Sequence, residues 1–70
     1  MDEQAFLHDV SVRTNVNIES LKDLINNEKF MFLIKTAKPR DAILLIRATM
    51  PRVGLREAQM IVEAFSAEFK

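Results

Sequence analysis

His8 beside Asp9 is the only arrangement in this chain that suggests an oriented imidazole, and His8 is its single histidine. A carboxylate holding an imidazole is half of a nucleophilic set. Adjacent residues, however, do not face each other on a helix. None of the hydroxyls (Ser11, Thr14, Ser20, Thr36, Thr49, Ser66) stands at a spacing that would complete the set. There is no cysteine, tyrosine or tryptophan, no spacing of metal ligands, no glycine-rich phosphate loop and no carboxylate pair placed for acid–base work. The sequence therefore predicts a non-enzymatic protein with no cofactor and no metal, and His8 as a solvated surface residue.

The residues that could do binding chemistry lie later. Arg40, Leu44 and Arg47 fall at i, i+4 and i+7, which puts them on one face of a helix. An apolar side chain between two arginines is an interface composition, because arginine is enriched there and leucine supplies an anchor. Arg52 and Arg56 extend this set along the chain. Met60, roughly 140° from Leu55 around the helix that follows, is off its apolar stripe and adds a flexible contact. Charge patterning supports the same region. Residues 1–28 carry six acids against Arg13 and Lys22, a balance of −4; residues 29–56 carry seven bases against Asp41 alone, +6; residues 57–70 carry −2. The formal net charge is zero, so the asymmetry is one of distribution.

The expected partner is a protein with an acidic surface. Nucleic acid is the alternative, using the basic segment 29–56 with Lys35 and Lys38, and Asn17 and Lys22 from an N-terminal corner. A second copy of the chain is a further possible partner, because 70 residues bury only about 60% of their unfolded surface.

The elements that position these residues follow from periodicity and punctuation. The sequence predicts one all-α domain over residues 1–70, built from two helical hairpins, 2–13/17–26 and 39–50/54–68, joined by an apolar segment 29–36. Asp2 and Glu3 suit a helix start, and Phe6, Leu7 and Val10 share a stripe. Thr14-Asn15 breaks that helix, asparagine being tolerant of a left-handed backbone. Asn17 caps the next helix, with Ile18, Leu21, Leu24 and Ile25 inward. Pro39 opens the third principal helix, whose apolar face is Ala42, Ile43, Ile46 and Met50, and Pro51 ends it. Gly54, the sole glycine, provides the turn or N-cap before a last helix with Leu55, Ala58, Ile61, Val62, Phe65 and Phe69 inward.

The run FMFLIK at 30–35 is ambiguous by periodicity alone. A short buried helix or an extended linker is expected, since a strand would lack an obvious pairing partner. An α+β fold with 30–35 as a strand is the alternative. The longest apolar run is five residues against the roughly 20 a membrane span requires. With MDEQ at its start and no cysteine, the chain is expected to be cytoplasmic.

Two resemblances bear on this layout. FMFLIK, AILLIR (42–47) and GLREAQMIVE (54–63) together resemble the C-terminal domain of the bacterial ribosomal stalk protein, over roughly residues 30–65. The most specific part is Gly54–Ala58 with Val62-Glu63. The resemblance implies a strand at 30–35 and a helical hairpin that presents basic side chains to translation GTPases. Arg47 and Arg56 match the family's basic positions, and Ile43, Leu55 and Glu57 match neighbouring contact positions. Leu44 and Gln59 stand where the family has lysines. LHDVSVRTNVNIESLKDLI (7–25) is similar to the helix-turn-helix of DNA-binding repressors, with Asn15 in the turn-glycine place. That likeness implies Asn17, Ile18, Glu19, Lys22 and Asp23 as the outward face of a recognition helix, of which Asn17 and Lys22 suit base edges and phosphates.

Overall fold

The computed structural model describes residues 2–67. They form five helices: α1 Glu3–Thr14, α2 Ile18–Ile25, α3 Glu28–Lys35, α4 Pro39–Thr49 and α5 Leu55–Ala67. Among the described residues there is no strand, and none of these helices is long and apolar enough to cross a membrane.

Local chemistry sets the boundaries. Asp2 caps α1 by accepting from the Ala5 N–H at 3.1 Å. Asn15 ends α1 in the left-handed region at φ 57°, as its type predicts. Two hydroxyls then pin the corner. Thr14 Oγ1 donates to the Val10 carbonyl at 2.8 Å and accepts from the Val16 N–H at 3.3 Å, while Ser11 Oγ donates to the Val16 carbonyl at 2.6 Å. Asn17 caps α2 through the Glu19 N–H at 2.8 Å.

The apolar segment 29–36 resolves as helix. Asn27 caps α3 by accepting from the Phe30 N–H at 3.1 Å, so the helix satisfies its own backbone where a lone strand would not. The strand of the α+β alternative, which the stalk-protein resemblance also implies, does not form. Phe30 and Ile34, one helical turn apart, are buried, and Met31 and Leu33 pack against the core from its edge.

Helix α3 ends in a Schellman motif. The Lys38 N–H donates to the Leu33 carbonyl at 2.9 Å and the Ala37 N–H to the Ile34 carbonyl at 3.2 Å. Ala37 therefore occupies, at φ 57°, the position that glycine usually fills. Pro39 is the first residue of α4, where its missing N–H costs nothing. Met50 before Pro51 is extended at φ −131° and ψ 83°. The Val53 N–H closes a turn onto the Met50 carbonyl at 3.0 Å, with Pro51 in the second position. Gly54 then takes the N-cap position of α5, and its carbonyl accepts from the Ala58 N–H at 2.9 Å. Its φ is not positive, so no left-handed backbone explains the glycine.

All five helices contribute to one apolar cluster. Helix α3 packs against α2, α4 and α5, and α4 packs along α5. Phe6 of α1 meets Phe65 of α5 edge-on, with ring centroids 6.0 Å apart. Leu55 departs from expectation: it is 51% exposed, and Val53, two residues earlier, is fully buried in its stead. The stripe read from periodicity starts one turn too early, because the chain enters α5 from a turn that aims Val53 inward. Glu68, the expected helix end, and Phe69, expected on the same stripe, lie outside the described residues.

Ala37→Gly is expected to stabilise the protein by about 1 kcal/mol, the left-handed penalty less the added chain entropy of glycine. For a chain of this size the gain corresponds to a rise in Tm of roughly 4–8 °C, measurable by thermal unfolding followed by circular dichroism. An unchanged or lower Tm would show that Ala37 carries no strain.

Candidate interaction groove

Helices α4 and α5, joined by the tight turn through Pro51, run antiparallel and enclose a shallow groove of about 440 Å³. Its floor is Ile43 and Val62. One wall is α4, with Pro39, Arg40, Leu44 and Arg47, and the other is α5, with Leu55, Gln59 and Glu63. On α4 the rim residues recur at i, i+4 and i+7, and on α5 at i, i+4 and i+8, which are the spacings of single helix faces. Leu44 and Leu55 are 60% and 51% exposed, on opposite rims. A smaller depression continues from the Pro39 end, between the end of α3 and α5, lined by Lys35, Ala37, Pro39, Glu63 and Ser66 among others.

Small residues contribute to the buried faces of both helices. Ala42 on α4 and Ala58 on α5 are fully buried, so both helices present short side chains inward while their leucines sit at the rims. The spacing between packed helices follows the size of the residues at the contact.

The charges at the rim are uncommitted. Among the described residues the ion pairs are Arg13–Asp9 at 2.9 Å and Lys22–Glu19 at 3.9 Å, both within the N-terminal hairpin. No described carboxylate pairs with Arg40, Arg47, Arg52 or Arg56. Arg40 and Glu63 stand on opposite walls of the same groove without forming a pair.

The structure divides the residues singled out from sequence. Arg40, Leu44 and Arg47 share the groove. Arg52 does not join them: it lines a separate depression with Asn15, Val16, Asn17, Ser20, Met50 and Pro51, beside the α1–α2 corner. Arg56 is exposed on the first turn of α5 and Met60 is half-buried further along it, and neither lines the groove. Of the residues considered for nucleic acid, Asn17 uses its carbonyl oxygen as a helix cap, and Lys22 is held near Glu19. Lys35 lines the smaller depression, and Lys38 is exposed at the start of α4. Asn17 and Lys22 belong to α2 and its cap, and Lys35 and Lys38 to the α3–α4 junction, and no described depression is lined by residues of both sets. His8 is exposed on α1. The sequence reading placed Leu55 in the core and, through the stalk-protein resemblance, among contact positions, but did not group it with Gln59 and Glu63, although the three fall on one face by spacing alone.

Comparison of the chain with protein-family models, with curated proteins and with solved structures returns no significant match.

Because their side chains face the groove, Leu44→Gln and Leu55→Gln are each expected to change unfolding free energy by less than about 0.5 kcal/mol, the usual range for surface positions. Ile46→Ala, which empties a fully buried site on the same helix, is expected to cost about 2–5 kcal/mol. Urea denaturation distinguishes these cases. A loss near 2 kcal/mol at Leu44 would make that leucine part of the core.

Proposed function

We propose that this protein is a small non-enzymatic interaction module, an adaptor or regulator, whose α4–α5 groove grips an acidic protein surface. One observation carries the reading: Arg40 and Arg47 stand two helical turns apart around the exposed Leu44, and no described carboxylate pairs with either. A leucine anchor between two arginines can bury apolar area while the guanidiniums take carboxylates in bidentate fashion. Desolvated arginines of this kind are frequent binding hot spots, and their charge also accelerates encounter with an acidic surface.

Glu63 on the opposite wall gives the groove a polarity across its width. A ligand fits best with its carboxylates toward α4 and a neutral or basic side toward α5. The resemblance of residues 30–65 to the ribosomal stalk protein points to the same hairpin as the binding element. Nucleic-acid binding is less favoured, because the basic residues do not form one stripe: Arg52 lies at the α1–α2 corner, away from Arg40 and Arg47.

The test is capture from an extract of the protein's own cells, with the wild type and Arg40→Glu/Arg47→Glu immobilised in parallel and folding checked by circular dichroism. The variant is expected to lose the acidic partner, with affinity at least about tenfold weaker, or 1.4 kcal/mol, and wild-type capture is expected to weaken as salt rises. Equal capture by the two proteins would remove the groove from the function. A low-salt mobility shift of duplex DNA that the variant abolishes would transfer the groove to nucleic acid.

A further inference from the structure

The groove has a second feature that an acidic ligand does not use, namely a carboxylate facing the guanidiniums. Arg40 lies on the α4 wall and Glu63 on the α5 wall, yet they form no pair within the chain. Both stand toward the Pro39 end, because Glu63 also lines the depression shared with Pro39. In an antiparallel hairpin turning at 50–54 this is expected. Arg40 lies roughly 10.5 Å along α4 from Arg47 and Glu63 roughly 12 Å along α5 from Leu55, at 1.5 Å per residue, so the two charges sit at about the same height.

We infer that, in the absence of another ligand, this groove is closed by the same groove of a second copy of the chain, with Arg40 of each copy paired to Glu63 of the other. The inference rests on the reading of the α4–α5 groove as an interaction face. Two copies can meet face to face about a two-fold axis in two ways. With the axis perpendicular to the helices, α4 lies on α4 of the second copy in antiparallel register, and Arg40 and Arg47 of one meet Arg47 and Arg40 of the other. That crowds four guanidiniums into one interface, and like charges brought together there oppose association.

With the axis parallel to the helices, α4 of each copy lies against α5 of the other and heights are preserved. Arg40 then meets Glu63 twice by symmetry, as an isologous contact requires. Every neighbouring helix pair becomes antiparallel, the arrangement of an up-down four-helix bundle. The exposed Leu44 and Leu55 of both copies are enclosed between the helices.

The charge count also limits such a dimer. Each groove offers one carboxylate against two arginines, so Arg47 has no acidic counterpart in the second copy. A partner with carboxylates for both arginines displaces the copy, which makes the dimer a resting state of the binding face.

Sedimentation equilibrium on the full chain tests this. The weight-average mass is expected to rise with concentration from 8.1 kDa toward twice that value. Arg40→Glu and Glu63→Arg are each expected to weaken the dimer about tenfold, since each reverses two symmetry-related pairs. The combined Arg40→Glu/Glu63→Arg exchange is expected to restore it. Arg47→Glu is expected to leave the dimer intact while weakening capture of an acidic partner, which separates the two readings. A wild type that stays monomeric at millimolar concentration overturns the dimer and leaves the capture result to stand by itself. So does a dimer that is indifferent to the single changes, or one that the exchange does not restore.

Discussion

The burial of Phe30 is the contact on which the rest of this structure depends. Its side chain is fully enclosed, and the helix that carries it packs against α2, α4 and α5. The helices are short, from 8 to 13 residues, and an isolated helix of such length is marginal in water. Each persists by docking its apolar face onto the others. The N-terminal hairpin also reaches α5 through the Phe6–Phe65 contact, but α3 is the element common to both halves. Burying a phenylalanine contributes about 1.5–3 kcal/mol, a large fraction of what a chain this small retains after its conformational entropy is offset.

That dependence explains how the chain treats its ends and turns. Asp2, Asn17 and Asn27 each place a side-chain oxygen on an otherwise unpaired N–H, contributing about 1 kcal/mol apiece. Against this economy the exposed hydrophobic residues stand out. Val12 and Phe32 are exposed to 70% and 60%, yet neither lines a described groove or stands beside the unpaired arginines. Solitary exposed apolar residues are common on protein surfaces. Leu44 and Leu55 differ because they line opposite sides of one depression with uncommitted guanidiniums beside them, and the proposed interface rests on that combination.

Much of this was legible in the sequence because the signals act locally. The left-handed Asn15, the cap at Asn17, Pro39 opening a helix and Pro51 ending one each depend on a few neighbouring atoms, so residue type was enough. The run at 30–35 was ambiguous because helix or strand there turns on whether a pairing partner exists, a property of the whole chain. Leu55 was misplaced for a related reason: periodicity describes a helix already under way, whereas the first turn inherits its direction from the loop before it. The same loop separates Arg52 from the groove. Charge counted along the chain groups Arg52 with Arg40 and Arg47, but the Met50–Val53 turn sets it beside the α1–α2 corner. The α5 wall was not assembled because Leu55, which shares a face with Gln59 and Glu63 by spacing, also fitted the apolar stripe of the core.

The absence of an internal Arg40–Glu63 pair follows from the same packing. A surface ion pair contributes at most about 1 kcal/mol, and closing this one would hold two long side chains across the groove mouth, where they would cover the rim leucines. Leaving the charges apart therefore sacrifices little stability. It leaves the two walls charged with opposite sign, the arrangement that would orient a partner of the proposed kind. Ala42, Ile46, Ala58 and Ile61 are fully buried on these two helices, so the apolar cluster that holds α4 and α5 does not draw on the charged residues at the rims. Stability is thus concentrated in the buried cluster of α4 and α5, whereas Arg40, Leu44, Arg47 and Leu55, on which the proposed interface rests, are exposed and lie outside it.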